Sequence, residues 1–283
     1  MKVSRRQFLR LLGGTVALGG LAAATGYGYA AYIEPTQLVH EQRTIALPDL
    51  HPSLEGFRLV QLSDFHYNLQ HGNLTHLQNT VQQANDCHPD LIVLTGDYVD
   101  NNLSGLTELS DTLGALKAKW GVYAVLGNHD HRQGAAKVRW ALEEVGIKVL
   151  WNENVTLTGD AAALSLVGFD DWLRGRPQIR STIDELPAHT TNIVLVHEPD
   201  VADLLCQYPQ LHLQLSGHSH GGQINLPITG PLILPALGQK YYLGHYQIER
   251  IQLYTTRGVG VLSNTPLRFN CPPELTELVL VRG

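Results

Sequence analysis

The sequence predicts a single α/β domain with sheet inside and helices outside. Short apolar runs typical of strands recur along the chain, and segments with helical spacing of apolar residues lie between them. A chain of 283 residues can bury a substantial core, and 43% hydrophobic with 16% charged residues is an ordinary globular balance. The sequence contains no internal repeat, and nothing in it marks a second folded domain.

Predicted strands and helices alternate through the first half of the chain. Apolar runs typical of buried strands lie at residues 57–62, 91–94 and 121–126. A segment with helical spacing follows each strand: residues 73–84, 106–118 and a stretch up to about residue 145. Asn73 is predicted to cap the first helix, because asparagine is favoured at that position.

The second half of the chain is a series of short strand-like runs. In chain order they lie near residues 149 and 155 and at residues 164–167, 193–196, 211–215, 251–255, 259–262 and 275–281. One short helix is predicted at residues 201–206. Together with the alternation of strands and helices in the first half, this pattern implies layered α/β packing.

The N-terminus has the features of an export signal. Residues 4–10 have the sequence SRRQFLR, which resembles the twin-arginine motif SRRxFLK except for its final arginine. Residues 11–33 carry no charge and, as a helix, would reach about 34 Å, enough to cross a bilayer. Ala22, Ala23 and Ala24 form a small-residue cleavage site, so the segment is either a cleaved signal or a retained membrane anchor. We therefore expect a signal or anchor (1–33), a connecting segment (34–54) and a folded domain (55–283) that is exported to the periplasm or the outer face of the membrane.

Charge and cysteine content exclude some classes of partner and site. All positive charges before Glu34 lie in the first ten residues, and 16 basic and 26 acidic side chains remain beyond them. Such an acidic chain is unsuited to general nucleic-acid binding, which neutralises phosphates, so no nucleic-acid partner is expected. Cys87, Cys206 and Cys271 are widely spaced and match neither a CxxC zinc pattern nor a disulfide framework.

Polar, ligand-type side chains follow five predicted strands at their carboxyl ends, where α/β sheets place their sites. In chain order they are Asp64 and His66; Asp97 and Asp100; Asn128, His129 and Asp130; His197; and His218 and His220. Taken singly, each has an ordinary structural explanation, such as a turn, a helix cap or a hydrogen-bonded core histidine. Their shared position after strands favours one site built from all of them.

The motif order DxH, GD, GNHD, H and GHxH resembles that of the calcineurin-like metallophosphoesterases. The resemblance extends from residue 57 to the C-terminus. Residues 217–223 (GHSHGGQ) and 256–260 (TRGVG) are most similar to twin-arginine-exported bacterial phosphodiesterases, whose pattern is GHTHGGQ; Ser219 is a mild departure. The resemblance implies a single-domain β-sandwich flanked by helices, in four layers α-β-β-α, with two metal ions at the sheet edge.

The same resemblance implies a role for each motif residue. The implied metal ligands are Asp64, His66 and His220 for one ion, Asn128, His197 and His218 for the other, and Asp97 as a bridge between them. His129 is the expected general acid, oriented by Asp100, with Asp130 as the alternative. His131 is expected to be solvated and to have no role.

Phosphodiester hydrolysis explains why these residue types are needed. Two divalent ions about 3.5–4 Å apart clamp the phosphoryl oxygens and lower the pKa of a bridging water towards about 7, which yields a hydroxide nucleophile. Only two carboxylates offset the ions, so neutral Asn128 and four neutral imidazoles leave positive charge for an anionic substrate. Nitrogen and oxygen ligands without thiolate suit Mn, Fe or Zn, and the family resemblance favours Mn.

We therefore expect an exported metal-dependent phosphodiesterase that acts on a small-molecule or lipid-linked diester, with the twin-arginine machinery as its export partner. One alternative is a pyrophosphohydrolase or phosphomonoesterase acting on a lipid or nucleotide-sugar envelope precursor. Another is a non-enzymatic, exported metal-binding envelope protein. A purely structural site needs no general acid, so His129 argues against this last interpretation.

Residues 224–246 form an apolar stretch rich in proline and glycine, directly after the ligand-type histidines. The stretch either lines a pocket for a lipid-like or sugar-nucleotide group or forms a covering loop that packs on the core. We favour the covering loop.

Overall fold

The computed structural model describes residues 20, 23–48, 50–70, 72–159, 163–184 and 186–283. The twin-arginine motif and residues 11–19, 21 and 22 of the uncharged stretch, including Ala22 of the predicted cleavage site, lie outside these residues. No helix within the described ranges is long and apolar enough to cross a bilayer.

The first sheet has a parallel centre with nearly continuous apolar strands. Its six strands are β1 (Val39–Leu47), β2 (Phe57–Leu62), β3 (Leu91–Thr95), β4 (Val122–Val125), β5 (Lys148–Val149) and β14 (Glu274–Arg282). Their spatial order is β1-β14-β2-β3-β4-β5, and only the β14–β2 pair is antiparallel. Apolar runs are what such strands require, because both faces of the sheet are covered.

The second sheet also has six strands and a parallel centre. They are β6 (Glu153–Thr156), β7 (Leu164–Gly168), β8 (Thr191–Leu195), β9 (Leu213–Ser216), β12 (Gly244–Ile248) and β13 (Ile251–Thr255). Their order is β12-β13-β9-β8-β7-β6. A separate two-stranded hairpin pairs β10 (Asn225–Leu226) with β11 (Gly230–Pro231).

Helices cover the outer faces of both sheets. They are α1 (Leu74–Asp86), α2 (Leu106–Leu113), α3 (Asn128–Gln133), α4 (Ala135–Glu144), α5 (Ile179–Ile183) and α6 (Ala202–Leu205). α1, α2 and α4 pack on the first sheet, and α5 and α6 pack on the second. The inner core draws Leu59 and Val93 from one sheet and Ile193 and Leu213 from the other. The expected α-β-β-α sandwich is therefore confirmed.

Several predicted elements differ from the structure in extent. Asn73 caps α1 as predicted, because its side chain accepts a hydrogen bond from the His76 amide at 3.0 Å. The helix predicted over residues 106–118 ends at Leu113, and the third helical stretch divides at Gly134, whose φ is +128°.

The prediction of a strand at residues 259–262 is wrong. The amides of Val259 and Gly260 donate to the carbonyls of Ser63 and Asp64, at 2.9 and 2.8 Å, instead of to a neighbouring strand. An apolar run that packs against a functional loop has the same composition as a strand, so periodicity cannot separate the two.

The segment expected to be a connection contains a strand that the sequence analysis did not predict. β1 pairs with β14 along its whole length, from Val39 to Leu47. It is an edge strand with mostly exposed side chains, and only Ile45 and Leu47 are buried. Its sequence therefore lacks the apolar run that marks the inner strands.

Candidate metal centre

The site lies where the carboxyl ends of parallel strands from both sheets meet. In the first sheet, β2, β3 and β4 end just before Asp64, Asp97 and Asn128. In the second sheet, β8 and β9 end just before His197 and His218. The loops after these five strands bring all nine predicted metal-binding and catalytic residues into one neighbourhood.

The loops hold several of these residues in the left-handed backbone region. The residues and their φ angles are Asp64 (54°), His66 (45°), Asp97 (56°), His218 (69°) and His220 (52°). Each such residue costs on the order of 1 kcal/mol or more, and the strain persists only where surrounding structure imposes it. Backbone hydrogen bonds between loops impose it here, from the amide of Asp64 to Gly96 O (2.9 Å) and from that of His66 to Asp97 O (3.1 Å).

Two motif glycines leave room for the carboxylates. A Cβ atom on Gly127 would overlap Oδ1 of Asp97, and one on Gly217 would overlap Oδ2 of Asp64. Backbone and carboxylate therefore approach each other more closely than any larger residue permits. This accounts for the glycines that begin GNHD and GHSH.

The first group of ligand-type atoms comes from Asp64, His66 and His220. The Nε2 atoms of the two histidines lie 2.9 Å apart. They lie 3.9 Å (His66) and 3.4 Å (His220) from Oδ1 of Asp64. This spacing is compatible with ligands of one ion, because zinc–nitrogen bonds are about 2.0–2.1 Å long.

The second group is formed by His197, His218 and Asn128. His197 uses Nδ1 to contact Thr95 O at 2.7 Å, and His218 uses Nε2 to contact Ala236 O at 2.8 Å. These second contacts fix each ring and leave its other nitrogen for a ligand bond, as outer hydrogen bonds do in metal sites. Among the described residues, the buried Oδ1 of Asn128 has no hydrogen-bond partner.

Asp97 lies between the two groups. Its Oδ2 is 3.6 Å from Nε2 of His66 and 3.1 Å from Nε2 of His197. Its Oδ1 accepts a hydrogen bond from the amide of His129 at 2.8 Å. One carboxylate oxygen can therefore reach both groups of ligands.

Burial keeps three of the imidazoles neutral. It lowers the pKa of His66 to about 3 and that of His218 to about 4, and it lowers the pKa of His220 well below its usual value. A neutral imidazole keeps the lone pair that a cation needs.

His197 is the exception among the four histidines. Burial would lower the pKa of His197, but the carboxylates of Asp97 and Asp64 raise it well above its usual value. Burial would raise the pKa of Asp97, but His197 holds it well below its usual range. The buried Asp97 carboxylate therefore requires positive charge beside it, either as a proton on His197 or as bound cations. Converging nitrogen and oxygen atoms, the unpaired Oδ1 of Asn128 and this demand for charge together fit two divalent cations.

His129 and Asp100 form a pair beside His66 of the first group, whose ring lies edge-on to that of His129. Nδ1 of His129 is 3.1 Å from Asp100 O and 3.3 Å from Asp100 Oδ1, which leaves Nε2 available. Burial would lower the pKa of His129, but its hydrogen bond with Asp100 raises it. Burial would raise the pKa of Asp100, but hydrogen bonds from His129 and Ser263 lower it to about 2. Ser263, which donates through both its amide and its hydroxyl, had no signal in the sequence.

Asp130 contacts backbone instead of orienting His129. Its carboxylate accepts from the amides of Asp97, Tyr98 and Gly127 at 2.9 Å each. It therefore fixes the loop that carries Asp97 and caps α3. Of the two carboxylates considered from the sequence, Asp100 is the one that contacts His129.

The expectation that His131 is solvated is wrong. Its Nε2 lies 2.8 Å from Oδ1 of Asp170, and its ring packs edge-on against Trp151. Asp170 also accepts from the amides of Asp171 and Arg176, at 2.9 and 2.6 Å. The pair thereby attaches α3 to the loop after β7.

Arg268 is a buried side chain that the sequence analysis missed. Its guanidinium donates to four backbone carbonyls, those of Arg257, Gly258, Gly260 and Cys271, at 2.7 to 3.2 Å. The loop it clamps is the TRGVG segment, whose Gly260 amide donates to Asp64 O. A lone arginine between two apolar residues was the only sequence signal.

A cavity of about 630 Å³ opens above the ligand-type residues. Polar residues of the site form its floor, and Leu173, Leu232 and Ile233 lie at its rim. The expectation that residues 224–246 pack on the core is wrong for the part near the site. Ile228 is 97% exposed and Ile233 is 81% exposed, whereas Tyr241 further along is buried.

Comparisons with known proteins agree with this geometry. A family model described as calcineurin-like phosphoesterase matches residues 57–222. An uncharacterized metallophosphoesterase, YkuE of Bacillus subtilis (strain 168), is 38% identical over 99% of this chain and 98% of its own length. The phosphodiesterase YaeI of Escherichia coli (strain K12) is 32% identical over 99% of this chain and 100% of its own length.

A solved structure shares the fold. The 5'-nucleotidase precursor of Thermus thermophilus superposes with a TM-score of 0.50 at 13% identity, over 80% of this chain and 54% of that one. At this identity the likeness concerns the fold alone. Because the family model spans more than half of the chain and full-length relatives exceed 30% identity, the chain belongs to the calcineurin-like phosphoesterases, which are metal-dependent hydrolases.

Proposed function

We propose that this protein is a metal-dependent phosphodiesterase that acts outside the cytoplasm. The observation that carries the proposal is the position of His129: its side chain lines the same cavity as Asp97, Asn128 and His218. The relative named phosphodiesterase, which aligns along nearly the whole chain, supports a diester as the substrate.

The two groups of ligand-type residues would hold one cation each, with Asp97 shared between them. Bound divalent ions supply an activated water and neutralise the charge on the phosphoryl oxygens. His129 then gives a proton through Nε2 to the leaving oxygen, and Asp100 holds the ring by its Nδ1. Water adds to phosphorus, one P–O bond breaks, and a phosphomonoester and an alcohol leave.

The metal and the location are part of the proposal. The nitrogen and oxygen donors suit Mn, with Fe and Zn as the other candidates. The SRRQFLR motif supports export through the twin-arginine route, which carries proteins already folded.

A comparison of three substrates tests the proposal. Purified full-length protein with Mn²⁺ is assayed on bis(p-nitrophenyl) phosphate, on p-nitrophenyl phosphate and on a nucleotide-sugar pyrophosphate. We expect the diester to be hydrolysed fastest. A preference for the monoester or the pyrophosphate would replace the proposal with the corresponding activity.

Two variants connect that activity to the site. Asn128→Ala and His218→Ala should each abolish metal-dependent diester hydrolysis, because each removes a ligand. Asn102→Ala, at an exposed position, is the matched control and should keep wild-type rates. Wild-type turnover by either ligand variant would overturn the proposal.

A further inference from the structure

The rim of the metal-site cavity exposes large apolar side chains to solvent. Leu232 is 55% exposed and Ile233 is 81% exposed, and both line the cavity together with Leu173. Ile228, at the tip of the adjoining β10–β11 hairpin, is 97% exposed. We refer to residues 225–233 as the apolar hairpin. Exposed apolar groups that cluster at one functional opening indicate an interaction surface.

The apolar hairpin is held away from the core. Its strands pair at Asn225 with Pro231 and at Leu226 with Gly230. Its base is fixed by the Asn225 amide, which donates to Phe269 O at 2.8 Å, and by the Leu232 amide, which donates to Ile224 O at 3.0 Å. The exposed side chains are therefore displayed by an ordered element.

The N-terminal segment is hydrogen-bonded to residues 268–270, which support the base of the apolar hairpin. The amide of Arg268 donates to Ala30 O at 2.9 Å, and the carboxylate of Glu34 accepts from the Asn270 amide at 3.0 Å. Phe269, between these two residues, is the one that pairs with the hairpin base. The uncharged stretch of residues 11–33, long enough to enter a bilayer, thus ends beside the apolar hairpin.

Two arginine side chains complete the rim of the cavity. Arg132 and Arg174 line the cavity, and neither guanidinium has an ion-pair partner among the described residues. Arg174 follows Leu173 on a loop held in place by Glu198, whose carboxylate accepts from the Trp172 and Leu173 amides at 3.1 and 3.2 Å. Arginine binds phosphate and other anionic headgroup oxygens, while leucine and isoleucine favour acyl chains.

We infer that the apolar hairpin and the Leu173–Arg174 loop dock on a bilayer surface, and that the substrate is a phosphodiester lipid taken from that surface. This inference rests on the proposed phosphodiesterase function and names its substrate class. The apolar hairpin enters the acyl boundary, the arginines contact anionic headgroups, and the diester of one lipid reaches the metal site. Hydrolysis then releases a phosphomonoester and an alcohol, one of which stays in the membrane.

Rates on a lipid and on a soluble diester test the inference. Full-length protein is assayed on vesicles of equal parts phosphatidylglycerol and phosphatidylcholine, with products identified by mass spectrometry, and on bis(p-nitrophenyl) phosphate. The ratio of the two rates is compared for wild type and for Ile228→Ser/Ile233→Ser. We expect the ratio to fall about tenfold or more in the double variant, because the apolar area that enters the bilayer is lost.

Trp140→Ser is the matched control, since Trp140 is 64% exposed on α4, outside the cavity lining. It should keep the wild-type ratio. An equal ratio in the hairpin variant, or no lipid hydrolysis by a wild type that cleaves the soluble diester, would overturn the inference. If light scattering shows a wild-type dimer and a monomeric hairpin variant while the ratio of lipid to soluble-diester rates is unchanged, the apolar hairpin contacts a second copy of the chain instead of a bilayer. Failure on the soluble diester would instead reject the proposed function itself.

Discussion

At the residue scale, the His129–Asp100 pair holds the imidazole that we propose as the general acid. His129→Ala should lower kcat for the diester about 100-fold or more, because a positioned general acid contributes about that much. Asp100→Asn should cost less but should move the basic limb of the kcat/KM profile to lower pH. The reason is that Asp100 raises the pKa of His129 against the effect of burial, so the proton is lost earlier without it.

The control for this pair is Asp111→Asn, an exposed carboxyl on α2, which should change neither kcat nor the pH profile. A basic limb at wild-type pH in Asp100→Asn would show that His129 is not the titrating acid.

A second contact at the residue scale makes stability depend on pH. Burial would lower the pKa of His131, but Asp170 raises it; burial would raise the pKa of Asp170, but His131 lowers it. The lowered pKa of Asp170 stabilises the fold at pH values above the unfolded aspartate pKa of about 4. The raised pKa of His131 stabilises the fold fully below about pH 6.5, and this stabilisation is lost as the pH rises through the raised pKa of His131. The pair therefore stabilises the fold most between about pH 4 and 6.5.

Thermal denaturation checks this expectation. His131→Gln should lower the free energy of unfolding by about 1 kcal/mol at pH 6, and by less at pH 9. His189→Asn, at an exposed position, should show no such trend. An equal loss at both pH values would mean that packing against Trp151, and not charge, supplies the stability.

At the scale of elements, the TRGVG loop depends on Arg268. Arg268→Met should lower the free energy of unfolding by about 3 kcal/mol, because several carbonyls lose a charged donor at once. Arg268→Lys should recover little of this, since one ammonium group cannot span all four acceptors. Urea unfolding measures both, with Arg43→Met on the exposed side of β1 as the control. A loss no larger than that of the control would contradict the clamp.

The residues around the metal site show how far the sequence alone predicts the structure. Asp64, Asp97 and His218 could be found because each follows an apolar strand, and parallel strands bring their carboxyl ends to one edge. Ser263 and Arg268 act through contacts with residues far away in the chain, and no local spacing encodes them. Strand β1 was missed because its side chains are mostly exposed, so it lacks the apolar run of the inner strands.

At the scale of the whole molecule, β1 joins the N-terminal region to the folded domain. Ile45 is fully buried in the core between the sheets, and its strand pairs with β14 along its length. Ile45→Ala should therefore lower the free energy of unfolding by about 3 kcal/mol, as cavity-forming changes do. Thr44→Ala, whose side chain is exposed in the same strand, should cost less than about 1 kcal/mol. Equal, small losses would mean that residues 34–54 are only a connection.

For the molecule as a whole, we propose that the strand ends of the two sheets together hold two divalent cations. Anomalous diffraction from crystals of the protein grown with Mn²⁺ tests it most directly. The account predicts two peaks per chain about 3.5–4 Å apart, with the Asp97 carboxylate between them. One peak beside Asp64 and His220 and the other beside Asn128 and His218 would agree with it. A single peak, or peaks away from these residues, would contradict it.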